Sequence, residues 1–259
     1  MEEKRVRTFL PAWWCIRTLA RTLKFLLTNG VVEIGRENLP DEGSLVINHN
    51  HNTTSEDAGA LQAVINRALT ILYKKSLESF PFGFFFVMPF LRLAGFIPVQ
   101  REVKDTVATA KTRWALQHGR WVVAMPQGTS RNPTLSEGKR RGTARLAMEG
   151  DYRILPVAIH GADGAIGSGL RRLLLRKGSR KTITILYGKP IPLSALGLSL
   201  ENDPEGAQAT HEIMVRIGAM LPEAMRGYYT EGIAQFLASD APDVVYYRDT
   251  IQPLVKKLS

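Results

Sequence analysis

Seven short apolar runs recur along the chain, rich in β-branched residues. They are VVEIG (31–35), SLVIN (44–48), LTILY (69–73), FIPVQ (96–100), WVVAM (121–125), ILPVAIH (154–160) and TITILYG (182–188). Helical patterns lie between most of them, such as Lys104–His118 and Gly138–Met148. Strands that alternate with helices predict an α/β fold, a mixed, mostly parallel central sheet of about seven strands flanked by helices. The run VVAM is apolar throughout, as a strand covered on both faces requires. After Pro192 the pattern turns helical and stays so to the end. The expected organisation is an N-terminal helical region over 1–30, one α/β domain over 31–225 and a helical extension over 226–259.

With 259 residues the chain can bury a sizeable core in one such domain. A single cysteine, Cys15, excludes an intrachain disulfide framework and any zinc site built from several thiolates, and a reducing compartment fits best. The net charge of +10 favours polyanionic partners: anionic lipid, phosphorylated substrates or nucleic acid. No stretch interleaves arginine with exposed aromatics or glycine, so nucleic acid is not the partner expected.

The segment PAWWCIRTLARTLKFLLTNG is long enough to span a bilayer, but Arg17, Arg21 and Lys24 interrupt it. On a helical wheel these three share one narrow strip, while Ile16, Leu19, Leu23, Leu26 and Leu27 fill a broad opposite arc. That pattern predicts an amphipathic helix lying in a membrane interface, cations toward headgroups and the apolar arc toward acyl chains. An amphipathic helix packed on the protein's own core has the same pattern. A signal peptide fits poorly, because the basic residues lie inside the apolar region. A second apolar run, Phe80–Val99, carries three prolines and two glycines, which argues against a simple spanning helix.

The stretch VINHNHNTTSEDAGAL (46–61) concentrates chemistry. It follows a predicted strand, at the C-terminal strand end where ligands and catalytic groups gather in open α/β folds. Ser55 can cap a following helix whose first turn holds Glu56 and Asp57. The paired histidines, His49 and His51, fit two chemistries. An H-x-H metal pair needs further ligands, with His160 as a candidate, and would suit a metal-dependent hydrolase. Alternatively, one imidazole acts as a general base oriented by a carboxylate, with a substrate hydroxyl as nucleophile.

The same stretch resembles the NHxxxxD box of the glycerolipid acyltransferases, the lysophosphatidic-acid acyltransferase family. The resemblance continues in order through LAGFIPVQR, MPQGTSRN, KRRGTARLA, ILPVAIHG and YGKPIPL, covering about Val32 to Leu221. It implies an enzyme that moves an acyl group from acyl-CoA or acyl carrier protein to a lysophospholipid hydroxyl, with no cofactor and no metal. His51 would be the base and Asp57 its orienting acid. Arg101, Gly128, Thr129, Ser130 and Arg131 would hold the substrate phosphate, with Gln127, Arg140, Arg141 and Lys75 as further candidates. Arginine forks suit phosphate, and glycine lets backbone N–H groups around Gly128 approach a phosphate or oxyanion. The implied location is the membrane surface, monotopic or peripheral, on the cytoplasmic face and against anionic lipid.

Three departures qualify the match. Five residues separate His51 from Asp57, whereas Glu56 keeps the family spacing of four, so either acid can partner His51; His49 to Thr54 keeps the spacing without an acid. Gln127 stands where the family has glutamate, which leaves lysophosphatidic acid open as the acceptor. The third box reads GTSR, so Ser130 or Arg131 takes the arginine position. A non-catalytic lipid-binding protein on the same fold is the remaining class.

Overall fold

The computed structural model describes residues 6, 8–51, 56–76, 90–100, 103–128, 134–175 and 179–257. All seven apolar runs form strands: β1 Val31–Ile34, β2 Leu45–His49, β3 Leu69–Lys74, β4 Ile97–Val99, β5 Trp121–Ala124, β6 Ile154–His160 and β7 Ile183–Tyr187. They make one sheet in the order β1-β7-β6-β2-β5-β3-β4. Every neighbouring pair is parallel except β6 with β7. The mixed, mostly parallel α/β sheet expected from the sequence is therefore the fold.

Helices accompany the sheet: α1 Leu10–Leu27, α2 Glu56–Val64, α3 Thr106–Gln117, α4 Gly142–Gly150, α5 Ala165–Leu175, α6 Ala207–Ala219 and α7 Thr230–Ala238. A π-helical stretch, Tyr246–Ile251, runs into the short helix Gln252–Val255. Alternation along each strand divides the core. Leu45, Ile47, Trp121 and Val123 face α2 (Ala60, Leu61, Val64). Val46 and Val122 face α3, α4, α6 and α7, and the last turns pack there through Tyr247, Ile251 and Val255. Burial on both faces accounts for β5 being apolar throughout, at about 1.5–3 kcal/mol for each large side chain, while β2 turns polar only at its end, Asn48 and His49.

Two expectations change. The helical pattern read from Gly138 begins only at Gly142. The preceding backbone is held elsewhere, Gly138 N–H donating to the Tyr229 hydroxyl (2.8 Å) and Arg140 N–H to the Pro126 carbonyl (2.9 Å). Helix α1 also sits differently from the wheel reading. It packs on α2 and α5, burying Ala12, Trp13, Arg17 and Leu27. Arg17 lies inward beside the Trp13 and Trp14 rings (5.5 and 5.6 Å), so the basic strip does not face outward as a unit. The apolar arc is divided: Leu27 faces the protein and Ile16 is half-buried, while Leu19 and Leu26 face out with Leu10, Trp14 and Phe25. Two helical neighbours claim part of the arc. Gly169 of α5 meets the Leu27 carbonyl so closely that a Cβ there would collide with it. Of the run Phe80–Val99, residues 80–89 lie outside the described ones; residues 90–93 are helical, Gly95 turns with φ +90°, and from Ile97 the segment is β4.

Candidate active site

Strand β2 lies between β6 and β5 in mid-sheet. The chain leaves it through Asn50, whose side chain continues the pairing: the Ile159 N–H donates to Asn50 Oδ1 (2.7 Å) and Asn50 Nδ2 donates to the Ile159 carbonyl (2.9 Å). A fully buried amide thus replaces a backbone rung and fixes the direction in which His51 follows. Behind it the buried Asn48 carboxamide accepts from the Thr143 hydroxyl on α4 (3.4 Å).

His51 is held by its own backbone, its N–H donating to Gln127 Oε1 (2.9 Å). Gln127 is buried, and its Nε2 reaches Ser136 Oγ at 3.4 Å. On the other side, His51 Nδ1 lies 3.6 Å from Asp57 Oδ2, both side chains almost wholly buried. That separation is just beyond a hydrogen bond, a looseness common in a proton-transfer pair before substrate arrives. Glu56 is committed elsewhere. Its carboxylate accepts from the Gly164 and Ile166 N–H groups (3.0 and 2.8 Å), satisfying donors at the start of α5. Of the two acids, geometry sets Asp57 beside His51.

His49 is fully buried, with Nδ1 2.6 Å from the Asn50 carbonyl and Nε2 without a hydrogen-bond partner among the described residues. Burial, opposed by the Asp57 charge, pushes its pKa down to about 4, so it stays neutral. His160 turns away, its Nδ1 3.3 Å from Met225 Sδ. Burial lowers its pKa as well. Among the described residues no three histidine, cysteine or acidic side chains come together to hold a metal, and His160 does not join the H-x-H pair.

Gly128 has φ +70°, a conformation that favours glycine, and an added Cβ would come within 2.7 Å of the Arg140 side chain. Its N–H closes a turn onto the Met125 carbonyl (3.1 Å). The N–H groups of His51 and Gly128 are thus both already donating. Arg140 is exposed beside this turn, and Arg141, half-buried, precedes α4. Lys75 is exposed beyond β3, where its charge acts on Asp105. Arg101, Thr129, Ser130 and Arg131 lie outside the described residues, as does the Ser55 cap. The Asn50 bracket was invisible in the sequence, because its partner Ile159 is remote; its only trace was an asparagine beside the histidine.

Comparison with known proteins follows the same line. A family model described as Acyltransferase matches residues 31–160, the span that contains β1 through β6 and the His51 site. No curated protein matches the chain at a significant level. Among solved structures, the 1-acyl-sn-glycerophosphate (LPA) acyltransferase PlsC from Thermotoga maritima has a similar fold. The TM-score is 0.58 at 18% identity, over 88% of this chain and 80% of that one. The resemblance read from the ordered boxes is borne out at the level of the family: the chain belongs to the Acyltransferase family and is an acyltransferase.

Proposed function

We propose that the protein transfers a fatty acyl group from a thioester to the free hydroxyl of a lysophospholipid, 1-acylglycerol-3-phosphate being the first acceptor to try. The carrying observation is the buried His51–Asp57 pair at the end of β2, with Glu56 occupied at α5. In this reading Asp57 holds the Nδ1–H tautomer, and the other ring nitrogen of His51 takes the hydroxyl proton as the oxygen attacks the thioester carbon. The tetrahedral intermediate then collapses, the C–S bond breaks, and His51 returns the proton to the departing sulfur. The proton balance closes without a metal or redox cofactor.

The chemistry would take place at a membrane surface. No helix among the described residues is long and apolar enough to cross a membrane. The outward side of α1 exposes Leu10, Trp14, Leu19, Phe25 (79%) and Leu26, and the neighbouring end of α5 exposes Leu170, Leu173, Leu174 (68%) and Leu175 beside Arg171 and Arg172. Adjacent apolar side chains on two packed helices, with cations beside them, suit an anionic interface. We place that interface on the cytoplasmic side.

The test is thiol release from acyl-CoA and acyl carrier protein with several lysolipids presented in anionic vesicles. Release that depends on a lysolipid, with the acylated product formed, is expected. Vesicle binding without turnover on any acceptor would sink the catalytic reading in favour of a lipid-binding protein. The same vesicles should sediment the wild-type chain and leave Phe25→Glu with Leu174→Glu in the supernatant; equal sedimentation would remove the α1/α5 face.

A further inference from the structure

The peptide between Asn50 and His51 is held at both ends by side chains. Its N–H donates to Gln127 Oε1 (2.9 Å), and its carbonyl, that of Asn50, lies 2.6 Å from His49 Nδ1. Burial keeps His49 neutral, so its ring carries one proton. A carbonyl oxygen can only accept, which puts that proton on Nδ1 and makes His49 the donor. Gln127 follows β5 and His49 ends β2, so the two grips on one peptide plane come from separate strands. The Asn50 side chain adds an anchor just upstream, through Ile159 of β6. A planar peptide fixed at its oxygen and at its nitrogen cannot rotate as a unit, and the Cα of His51 leaves it in one direction.

A histidine is a costly way to make the first of these bonds. Alternation along β2 puts His49 on the face of Leu45 and Ile47, toward α2, where the strand is otherwise apolar. It is 0% exposed, and its Nε2, a bare lone pair in this tautomer, has no hydrogen bond among the described residues. Burying an unpaired polar atom is unfavourable, and an apolar side chain here would avoid the penalty. What the ring holds explains its presence. The next residue but one, His51, stands 3.6 Å from Asp57, and a misplacement of about 1 Å in a reacting group can cost about a hundredfold in rate.

We infer that His49 is a positioning residue for the acyl transfer: its Nδ1–H clamps the Asn50 carbonyl while Gln127 clamps the His51 N–H, and together they aim the His51 imidazole at Asp57 and the substrate hydroxyl. His49 touches no reacting atom and acts through the peptide alone. The inference rests on the reading of His51 as the base, but the clamp is a matter of backbone geometry and has a test that needs no turnover.

Amide hydrogen exchange at His51, followed by NMR on the full chain, should quicken about tenfold or more in His49→Leu, although that N–H is bonded to Gln127 and not to His49. His49→Asn places an amide N–H where Nδ1 was and should keep the exchange slow. His49→Gln keeps a polar group in the fold but carries its amide one bond farther, where Nε2 was, and should behave as His49→Leu does. In turnover, His49→Leu and His49→Gln should lower kcat by about ten- to a hundredfold with KM for thioester and lysolipid unmoved, and His49→Asn should recover most of the loss. Because both grips hold one peptide, adding Gln127→Leu to His49→Leu should cost less than the product of the two single losses. Wild-type exchange and kcat in His49→Leu or His49→Gln, equal losses in His49→Asn and His49→Leu, or a double loss that reaches the product would each overturn the assignment while leaving acyl transfer intact. Quickened His51 exchange in a chain that transfers nothing to any lysolipid would sink the catalytic reading and keep the clamp.

Discussion

Two buried charged clusters in this molecule are built in opposite ways. On α6, Arg216 is 1% exposed and saturated. Its Nε and Nη2 donate to Asp243 (2.7 and 2.9 Å), and its Nη1 donates to the Glu212 carboxylate (2.7 Å) and carbonyl (3.1 Å). Burial opposes the charge, but the Asp243 hydrogen bonds and field outweigh it and hold the guanidinium pKa above its ordinary value. At the end of β2, by contrast, His51 and Asp57 stand 3.6 Å apart, and His51 Nδ1 has no hydrogen bond among the described residues. A cluster that serves only to tie the C-terminal helices to the core makes every bond it can. A proton-transfer site, the role we propose for the second pair, keeps one unmade, and that contact can close as charge develops on the imidazole.

The comparison breaks most visibly at its two ends. His51→Ala should reduce kcat about 10²–10⁴-fold, the range of a general base, while changing unfolding free energy by less than about 1 kcal/mol. Retained turnover in the folded variant would remove His51 from the chemistry. Asp243→Ala should do the reverse, costing about 3–5 kcal/mol of stability because it leaves Arg216 buried with half its partners. Chemical unfolding measures it, and a loss below about 1 kcal/mol would show that the cluster ties nothing down.

His49 sharpens the contrast, since it is buried like Arg216 but carries no charge. Its folded pKa of about 4 lies below the unfolded value near 6.5. Between those values the unfolded chain binds a proton that the folded chain refuses. Its contribution to stability is therefore complete above about pH 6.5 and is lost as pH falls toward 4, by about 3 kcal/mol in all. Unfolding free energy followed against pH should show this slope in the wild type and lack it in His49→Gln. Parallel curves would mean that His49 charges freely in the fold.

How far the sequence reached depended on whether the deciding partner was local. The seven strands were legible because apolar runs bounded by turns are a local signal, and β5 even showed its two-sided burial. The start of α4 was not, because Tyr229 and Pro126 hold the residues before it. The wheel for α1 showed amphipathicity but could not say that α2 and α5 would claim Arg17 and Leu27. Glu56 and Asp57 lie about 100° apart on one helical turn. Only the fold, by bringing the α5 N–H groups to Glu56, separates their tasks.

The smallest expected effect tests the residue that departs from the family box. Gln127 meets the His51 N–H through its carbonyl oxygen, a bond that a glutamate oxygen would accept equally well. Positioning His51 therefore needs an acceptor and does not need a charge. Gln127→Leu should leave a buried N–H unsatisfied, costing about 1–3 kcal/mol of stability and lowering kcat as the His51 loop loses its anchor. Gln127→Glu should restore the bond and the stability to within about 1 kcal/mol. If its kcat also returns, the substitution in this chain is neutral for catalysis, and any effect must appear in KM for a phosphorylated acceptor. If Gln127→Leu matches the wild type in stability and kcat, the hydrogen bond does not position His51, and the departure from the family bears on the substrate alone.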